Sequence, residues 1–196
     1  MEQKLELENE NRTNILQNAL KLFSSKGYEN TGVQEICQVS EITKPTLYYY
    51  FGNKVGILRA IISSIGSQYK IAISNAAEYN HDLIKHLETI LRAQISFCLQ
   101  FPEFFRLYVS SNAAPVQSEF FEEFKSFRNN IKIIYENLFI QSVKEFGNMK
   151  GWEKLYSKVF KSICESTALS VLNNELEISD QLIYHIIKSF IYGIVN

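Results

Sequence analysis

The residues best suited to chemistry lie in one short run, Thr43–Lys54. In this run Lys44 and Thr46 can donate hydrogen bonds to base edges or to phosphates. The three consecutive tyrosines Tyr48–Tyr50 are too many for a core, and a tyrosine hydroxyl bonds phosphate well. Lys54 stands at a predicted helix start, where it adds positive charge to backbone N–H groups that already favour phosphate. The run therefore predicts contacts with a nucleic acid rather than a chemical reaction.

Patterns for catalysis and for metal binding are missing from the sequence. The three histidines lack the i, i+4 spacing of a metal-binding helix, and no serine or cysteine has a base within a recognisable motif. The three cysteines are far apart and form no C-x-x-C pair, which argues against a disulfide framework or a zinc ribbon and fits a reducing cytoplasm. We therefore expect no catalytic residue, no metal, no cofactor and no enzymatic activity.

The first of two helix starts that position this run is at Thr31. Its hydroxyl can accept a hydrogen bond from the N–H of Gln34 while the Gln34 side chain reaches back, which would close a capping box. Val33, Ile36 and Cys37 then share one face of a short helix. The pattern lapses soon afterwards, which predicts a turn.

The second helix start is at Thr43, the expected N-cap, with Pro45 in the first turn, where a missing N–H is harmless. Because proline disfavours the α region for the residue before it, Lys44 is the alternative cap. Leu47 and Phe51 are four residues apart and should pack inward together. Two short helices joined by a turn predict a helix-turn-helix.

In these residues the chain resembles the TetR family of bacterial transcriptional regulators. The family signature is a helix started by Thr, a turn, and then Ser/Thr-Lys-x-Thr-Leu-Tyr-x-x-Phe-x-x-Lys, which Thr43–Lys54 matches. The upstream matches are Ile15, Leu16, Ala19, Leu20, Phe23, Lys26, Gly27, Tyr28, Thr31 and Ile36. The resemblance covers about residues 12 to 58. It has one visible departure, because the family usually has glycine in the turn where this chain has Glu41 or Ile42.

The resemblance implies a role for each residue at the DNA, which is the expected double-stranded partner. The residues implied to grip the DNA backbone are Thr31, Tyr48, Tyr50 and Lys54. The residues implied to face the major groove are Gln34, Lys44, Pro45, Thr46 and Tyr49. Thr43, at the helix start, completes the predicted DNA-binding set.

Composition allows a large folded core and does not by itself indicate nucleic-acid binding. Apolar residues make up 46% of the 196 residues, and 20 basic residues stand against 21 acidic ones. Between Asn11 and Ala60, however, six basic residues face three acidic ones. An acidic, polar start and the lack of an 18-residue apolar run predict neither secretion nor membrane spanning, which leaves the cytoplasm.

The helical period predicts an all-α chain of about nine helices in two domains. Residues 1–54 form the helix-turn-helix domain, in which residues 1–10 are frayed or a helical lead-in, and residues 55–196 form a helical effector-binding and dimerisation domain. The helices expected in the second domain cover residues 55–75, 83–100, 102–112, 116–146, 152–173 and 179–195.

Two groups of apolar residues in the second domain have an expected function. TetR-like proteins hold an effector among their middle helices, so the resemblance implies a small apolar or aromatic ligand lined by Phe97, Phe101, Phe105, Tyr108, Phe124 and Phe127. The last helix is apolar nearly all round, which predicts a homodimer interface that includes Ile163, Leu169, Leu172, Ile183, Ile187 and Ile191. The alternative for that helix is a central place in one core.

These observations predict a homodimeric, ligand-responsive transcriptional regulator, most simply a repressor that binds a partly palindromic operator and is released by an apolar effector. Two alternatives stay open. One is a DNA-binding regulator without a ligand, and the other is an all-α carrier of apolar molecules that does not bind DNA. The sequence does not name the operator, the effector or the regulated genes, and activation is also possible.

Overall fold

The computed structural model describes residues 2–193, apart from the side chains of residues 2–8 and Asn148. Within this part of the chain all regular structure is helical, which confirms the predicted fold class. No helix in it combines the length and the apolar character needed to cross a membrane.

The helices follow one another with short connections. They are α1 (Glu2–Lys26), α2 (Val33–Val39), α3 (Lys44–Phe51), α4 (Lys54–Ile61), α5 (Ser67–Ala76), α6 (Leu83–Gln100), α7 (Pro102–Ser110), α8 (Glu119–Ser142), α9 (Glu153–Leu172) and α10 (Asp180–Tyr192). A π-helical turn, Ile62–Gly66, joins α4 to α5 without a break, so the described chain has the nine helices that were predicted.

The described chain divides into two compact units. The first contains the chain up to Ser67 together with Glu103–Ser126, and the second contains Gln68–Pro102 together with the chain from Phe127 onward. These units differ from the predicted boundary after residue 54. The first unit gains the start of α8 because side chains there pack on the helix-turn-helix, a long-range contact that periodicity does not reveal.

Helix α1 packs against α2 and α4 in the first unit. Its buried face includes Ile15, Ala19 and Phe23, spaced as an amphipathic helix requires. It ends at Gly27, whose φ of 87° suits glycine and whose N–H donates to the Phe23 carbonyl at 3.1 Å. Of the two expectations for residues 1–10, the helical lead-in is the one observed from residue 2, and Met1 lies outside the described residues.

The capping box predicted at Thr31 is wrong. Gly32 is the N-cap of α2, without a side-chain hydrogen bond, and the Thr31 hydroxyl instead donates to the Gly27 carbonyl at 2.9 Å. The tight end of α1 offers a carbonyl acceptor within reach, and this bond competes with capping. Thr31 therefore supports the connection between α1 and α2.

The turn between α2 and α3 contains the departure from the family pattern. Glu41 has a φ of 55°, the left-handed conformation that glycine adopts without strain. The N–H of Ile42 donates to the Cys37 carbonyl at 3.0 Å, which closes the turn. Glu41 thus occupies the position for which the family usually has glycine.

In the second unit α6 packs against α9 and α10. Its core contains a fully buried polar group, because the Gln94 Oε1 accepts hydrogen bonds from the Tyr69 hydroxyl at 2.9 Å and the Tyr135 hydroxyl at 2.6 Å. Three helices of the second unit are joined at this point.

Several helix boundaries in the second domain differ from the sequence expectation. The helix predicted over residues 116–146 begins later and ends at Ser142, and a short 3-10 helix, Gly147–Met149, follows it. The last helix ends at Tyr192, and residues 194 and 195 of the predicted helix lie outside the described part. Apolar periodicity alone locates helix ends poorly, which accounts for these differences.

Replacing Glu41 by glycine should stabilise the protein. The substitution removes a left-handed non-glycine residue, so the free energy of unfolding should rise by about 1 kcal/mol. Urea unfolding followed by circular dichroism measures the change. Gln38→Gly, an exposed position inside α2, is the matched control and should lower the free energy of unfolding by about 1 kcal/mol. A loss of stability in both variants would contradict strain at Glu41.

Candidate nucleic-acid interface

The start of α3 is fixed by its N-cap. Thr43 is that cap, as predicted, with extended backbone angles and a hydroxyl that accepts from the N–H of Thr46 at 3.4 Å. The two threonine hydroxyls are 2.9 Å apart, and Pro45 lies in the first turn. The alternative cap, Lys44, is the first helical residue. The cap therefore sets the direction in which α3 begins.

Opposite faces of α3 have opposite environments. Leu47 is 0% exposed, and Phe51 is half-buried with the Arg12 guanidinium 5.5 Å from its ring centroid. On the other face Tyr49 is 74% exposed, and Tyr48 is exposed beside it. The inward packing predicted for Leu47 is confirmed, and the tyrosine face is open to solvent.

The remaining predicted DNA-binding residues differ in exposure. Those that are exposed are Gln34, Thr43, Lys44 and Pro45, and those that are half-buried are Thr46, Tyr50 and Lys54. Thr31 is 1% exposed, with its hydroxyl bonded to Gly27. The expected grip of the Thr31 side chain on DNA is therefore not supported by its position.

Two asparagines on α1, which the sequence reading did not identify, hold the turn before α3. The Asn14 Nδ2 donates to the Ser40 carbonyl at 2.9 Å, and the Asn18 Nδ2 donates to the Val39 carbonyl at 3.2 Å. These carbonyls are at the C-terminal end of α2, where helical partners are missing. The only signal in the sequence is an i, i+4 pair of asparagines on the polar side of α1.

Lys54 was predicted only as a positive charge near phosphate. In the structure it also holds the backbone together through hydrogen bonds. Its Nζ donates to the carbonyls of Tyr28 at 3.0 Å and Thr31 at 3.2 Å. The same ammonium lies 4.1 Å from the centroid of the Tyr28 ring, a cation–π distance. Lys54 thus joins the start of α4 to the connection between α1 and α2, and one of its three N–H groups is left for other contacts.

Tyr28 is the centre of the packing around the helix-turn-helix. Its ring packs 5.0 Å from Phe23 and stacks on Phe120 at 5.4 Å, and its hydroxyl donates to the Glu119 carboxylate. Burial, together with this carboxylate, raises the pKa of the Tyr28 phenol. Arg59 on α4 also makes two hydrogen bonds to Glu123, at 2.8 and 2.6 Å. The first two turns of α8 therefore belong to the same unit as helices α1–α4, which we call the reading head.

Two glycines shape the connection between α3 and α4, Gly52 through its backbone angles and Gly56 through lack of space. Gly52 has a φ of 72° and donates its N–H to the Tyr48 carbonyl at 2.9 Å. Asn53 caps α4 by accepting from the N–H of Gly56 at 2.8 Å. A Cβ on Gly56 would lie 1.8 Å from the Phe51 carbonyl oxygen, so glycine is required there for backbone contact.

Comparison with known proteins shows which family the first four helices resemble. Residues 15–61 match the sequence model of the bacterial regulatory proteins of the tetR family. The biofilm operon negative transcriptional regulator IcaR of Staphylococcus epidermidis is 29% identical over 102 residues, which are 52% of this chain and 53% of IcaR. Residues 15–61 are thus similar to the DNA-binding region of the TetR family.

Solved structures of TetR-like regulators share the fold over nearly the whole chain. The fatty acid degradation regulator FadR of Bacillus halodurans has a TM-score of 0.75 at 13% identity, covering 95% of this chain and 97% of that one. FadR of Bacillus subtilis, solved in complex with stearoyl-CoA, has a TM-score of 0.72 at 16% identity, covering 93% and 98%. The sequence match to IcaR spans only about half the length of either protein. The relatives and fold of this chain are those of transcriptional regulators, not of enzymes.

The six aromatic residues predicted to line a ligand cavity lie in two different units. Phe105, Tyr108 and Phe124 are buried in the first unit. In the second unit Phe97 and Phe127 are buried, and the rings of Phe97 and half-buried Phe101 are 4.8 Å apart. These side chains pack against other rings of their own units, as core residues do.

The predicted dimer residues also divide into two groups. Ile183 and Ile187 are buried within the protomer, so in this conformation they offer no surface to a second copy. The partly exposed members are Ile163, Leu169, Leu172 and Ile191. On the outer face of α9, the exposed apolar residues Leu155 and Val159 line a groove of 560 Å³ with Ile163.

Lys54 and Lys44 allow a matched test of the structural role of Lys54. Lys54→Met keeps the aliphatic stem but removes both carbonyl hydrogen bonds, so the free energy of unfolding should fall by about 1 kcal/mol. Lys44→Met, at an exposed position, should change it by less than about 0.5 kcal/mol. Both are measured by urea unfolding. Equal stability of the two variants would show that the Lys54 contacts contribute nothing.

Proposed function

We propose that this protein is a ligand-responsive transcriptional regulator that binds a partly palindromic operator as a homodimer and represses the genes beside it. The observation that carries the proposal is the exposed tyrosine face of α3, which is held in place by the buried Leu47 on the opposite side. A short helix with one anchored face and one open polar face is the geometry of a recognition helix in the major groove.

The proposed contacts with DNA follow from exposure and from hydrogen-bonding capacity. The residues proposed to reach base edges are Gln34, Lys44, Pro45, Thr46 and Tyr49. The residues proposed to contact phosphates are Thr43, Tyr48, Tyr50 and Lys54, the last of these together with the free N–H groups at the start of α4. Base contacts should set sequence preference, and phosphate contacts should set overall affinity.

The proposed dimer uses the outer face of α9. Leu155, Val159 and Ile163 recur on that face at i, i+4 spacing and are at least partly exposed. A stripe of apolar residues on a long helix is self-complementary when two copies meet about a two-fold axis. Such a dimer can present two α3 helices to half-sites about one helical turn apart on DNA.

Repression and release by a ligand are the finer parts of the proposal. IcaR is a negative regulator, and the FadR structure from Bacillus subtilis contains stearoyl-CoA. Helix α8 offers a route for coupling, since Glu119 and Phe120 at its start contact Tyr28 while its later turns belong to the second unit. An apolar effector that shifts α8 would lower operator affinity by a coupling free energy of about 1–3 kcal/mol.

A second candidate function is a DNA-binding dimer without an effector. The packing of the predicted aromatic lining in the cores of the two units favours it. The two candidates are separated by titrating an operator complex with a set of apolar compounds, among them dodecanol and a long-chain acyl-CoA, because only the first predicts that one of them dissociates the complex.

Substitutions on α3 and α4 should separate affinity from preference. Lys54→Ala should weaken binding to the operator and to a random duplex alike and lower the salt slope by about 0.9. Lys44→Ala and Thr46→Ala should each lower the preference for the operator, by about 5- to 150-fold. Fluorescence anisotropy measures both, and Lys188→Ala on α10 is the control. If the three variants on α3 and α4 bind like the wild type, α3 is not the reading helix.

A charge placed on the α9 face should break the dimer. Val159→Asp would bury an unpaired carboxylate close to its two-fold mate, which costs about 3 kcal/mol or more. The expected result is a monomer by light scattering at micromolar concentration and a loss of operator binding. Ile71→Asp, at an exposed position of α5, should leave the dimer intact. A Val159→Asp variant that stays dimeric would place the interface elsewhere.

A further inference from the structure

One end of the second unit contains a pocket of 610 Å³. Its walls come from the first turns of α6 and α9 and from the last turns of α8 and α10. Residues on these walls include Leu83, Ile84, Phe139, Tyr156, Phe190 and Tyr192. None of the six aromatic residues that the sequence predicted as a ligand lining takes part in it.

The described part of this pocket's lining contains no charged side chain, which favours an uncharged ligand. Among the described residues that line it there is no Asp, Glu, Lys, Arg or His, and the polar side-chain groups are the hydroxyls of Tyr156 and Tyr192. A charged group placed inside would lose hydration without gaining a partner. An uncharged apolar body with at most a small polar end is therefore the occupant that fits.

The size of the pocket favours a small molecule over a segment of protein. Its volume lies within the range of about 300–1,000 Å³ that is typical of ligand sites. Two turns of a docked helix would need about 1,000 Å³, given a diameter of 10–12 Å. At about 30 Å³ for each water-sized group, the pocket holds roughly 20 non-hydrogen atoms.

The inner wall and the mouth of the pocket both suit a chain-like ligand. At the inner wall, the rings of Phe139 and Phe190 lie 6.1 Å apart, and each packs on Phe160. At the mouth, Ile84 and Phe146 are exposed, as large apolar side chains rarely are when they are clustered. A chain that enters at the mouth would cover these side chains and end against the rings.

We propose that this pocket binds the apolar body of an uncharged, chain-like molecule such as a fatty alcohol, with the polar end left in solvent at the mouth. The inference depends on the proposed function only for the consequence at the operator. Binding itself is measured on the protein alone.

The only tryptophan of the chain lies next to the pocket in sequence, although it is not one of the lining residues. Trp152 precedes α9 between two residues of the lining, since its N–H donates to the Met149 carbonyl and its carbonyl accepts from the Tyr156 N–H, both at 2.9 Å. A bromine atom quenches indole fluorescence on contact. Titration of the full chain with bromododecanol should therefore give saturable quenching, and unbrominated dodecanol should reverse it.

Matched arginine substitutions test whether the pocket is the binding site. Ile84 lines the mouth at 40% exposure, and Ile133 lies outside the pocket on α8 at 42% exposure, so both variants should fold. Calorimetry with dodecanol should show binding at least tenfold weaker for Ile84→Arg and within twofold of wild type for Ile133→Arg. The proposal is overturned by absence of saturable dodecanol binding, by equal affinities of the two variants, or by conversion of a dimer to a monomer in Ile84→Arg alone.

A final comparison keeps the pocket separate from the regulatory function. If dodecanol binds with the expected dependence on Ile84 and also lowers DNA affinity, both the pocket and effector control are supported. If it binds in the same way and DNA affinity is unchanged, the pocket is supported and effector control through it is contradicted.

Discussion

The burial of Leu47 is the constraint on which the reading head depends. Helix α3 has only eight residues, too few for a helix to be stable alone in water. Its orientation therefore comes from its surroundings, and the fully buried Leu47 determines which side faces the protein. The Thr43 cap and the left-handed Gly52 fix the two ends. With the buried side and both ends of α3 fixed in this way, the face that contains Tyr48 and Tyr49 is exposed to solvent and available to a ligand.

A second level of organisation surrounds Tyr28. This residue touches α1, α4 and α8 through its ring, its carbonyl and its hydroxyl, so it joins the helix-turn-helix to the first turns of α8. Both Tyr28 and Lys54 contribute to packing. A substitution of Lys54 can therefore change stability as well as DNA binding. These contacts hold the helices that support α3 together with the first turns of α8.

Local signals in the sequence were sufficient for part of this picture. Apolar periodicity and the Thr43-x-Pro45 start predicted α3 and its buried side, and the missing turn glycine correctly marked Glu41 as unusual. The cap at Thr31 was wrong because a nearby carbonyl competes for the hydroxyl, which a one-dimensional pattern does not show. The burial of Ile183 follows from packing within the second unit, since apolar periodicity does not distinguish a protomer's own core from a subunit interface.

The central claim is that α3 reads DNA from two symmetric copies of this chain. Selection of bound fragments from a random pool of duplexes tests it most directly. The account predicts enrichment of a motif with two-fold symmetry and half-site centres about 10 base pairs apart or a multiple of that distance. Recovery of fragments without a shared motif, or of an asymmetric single site, would contradict it.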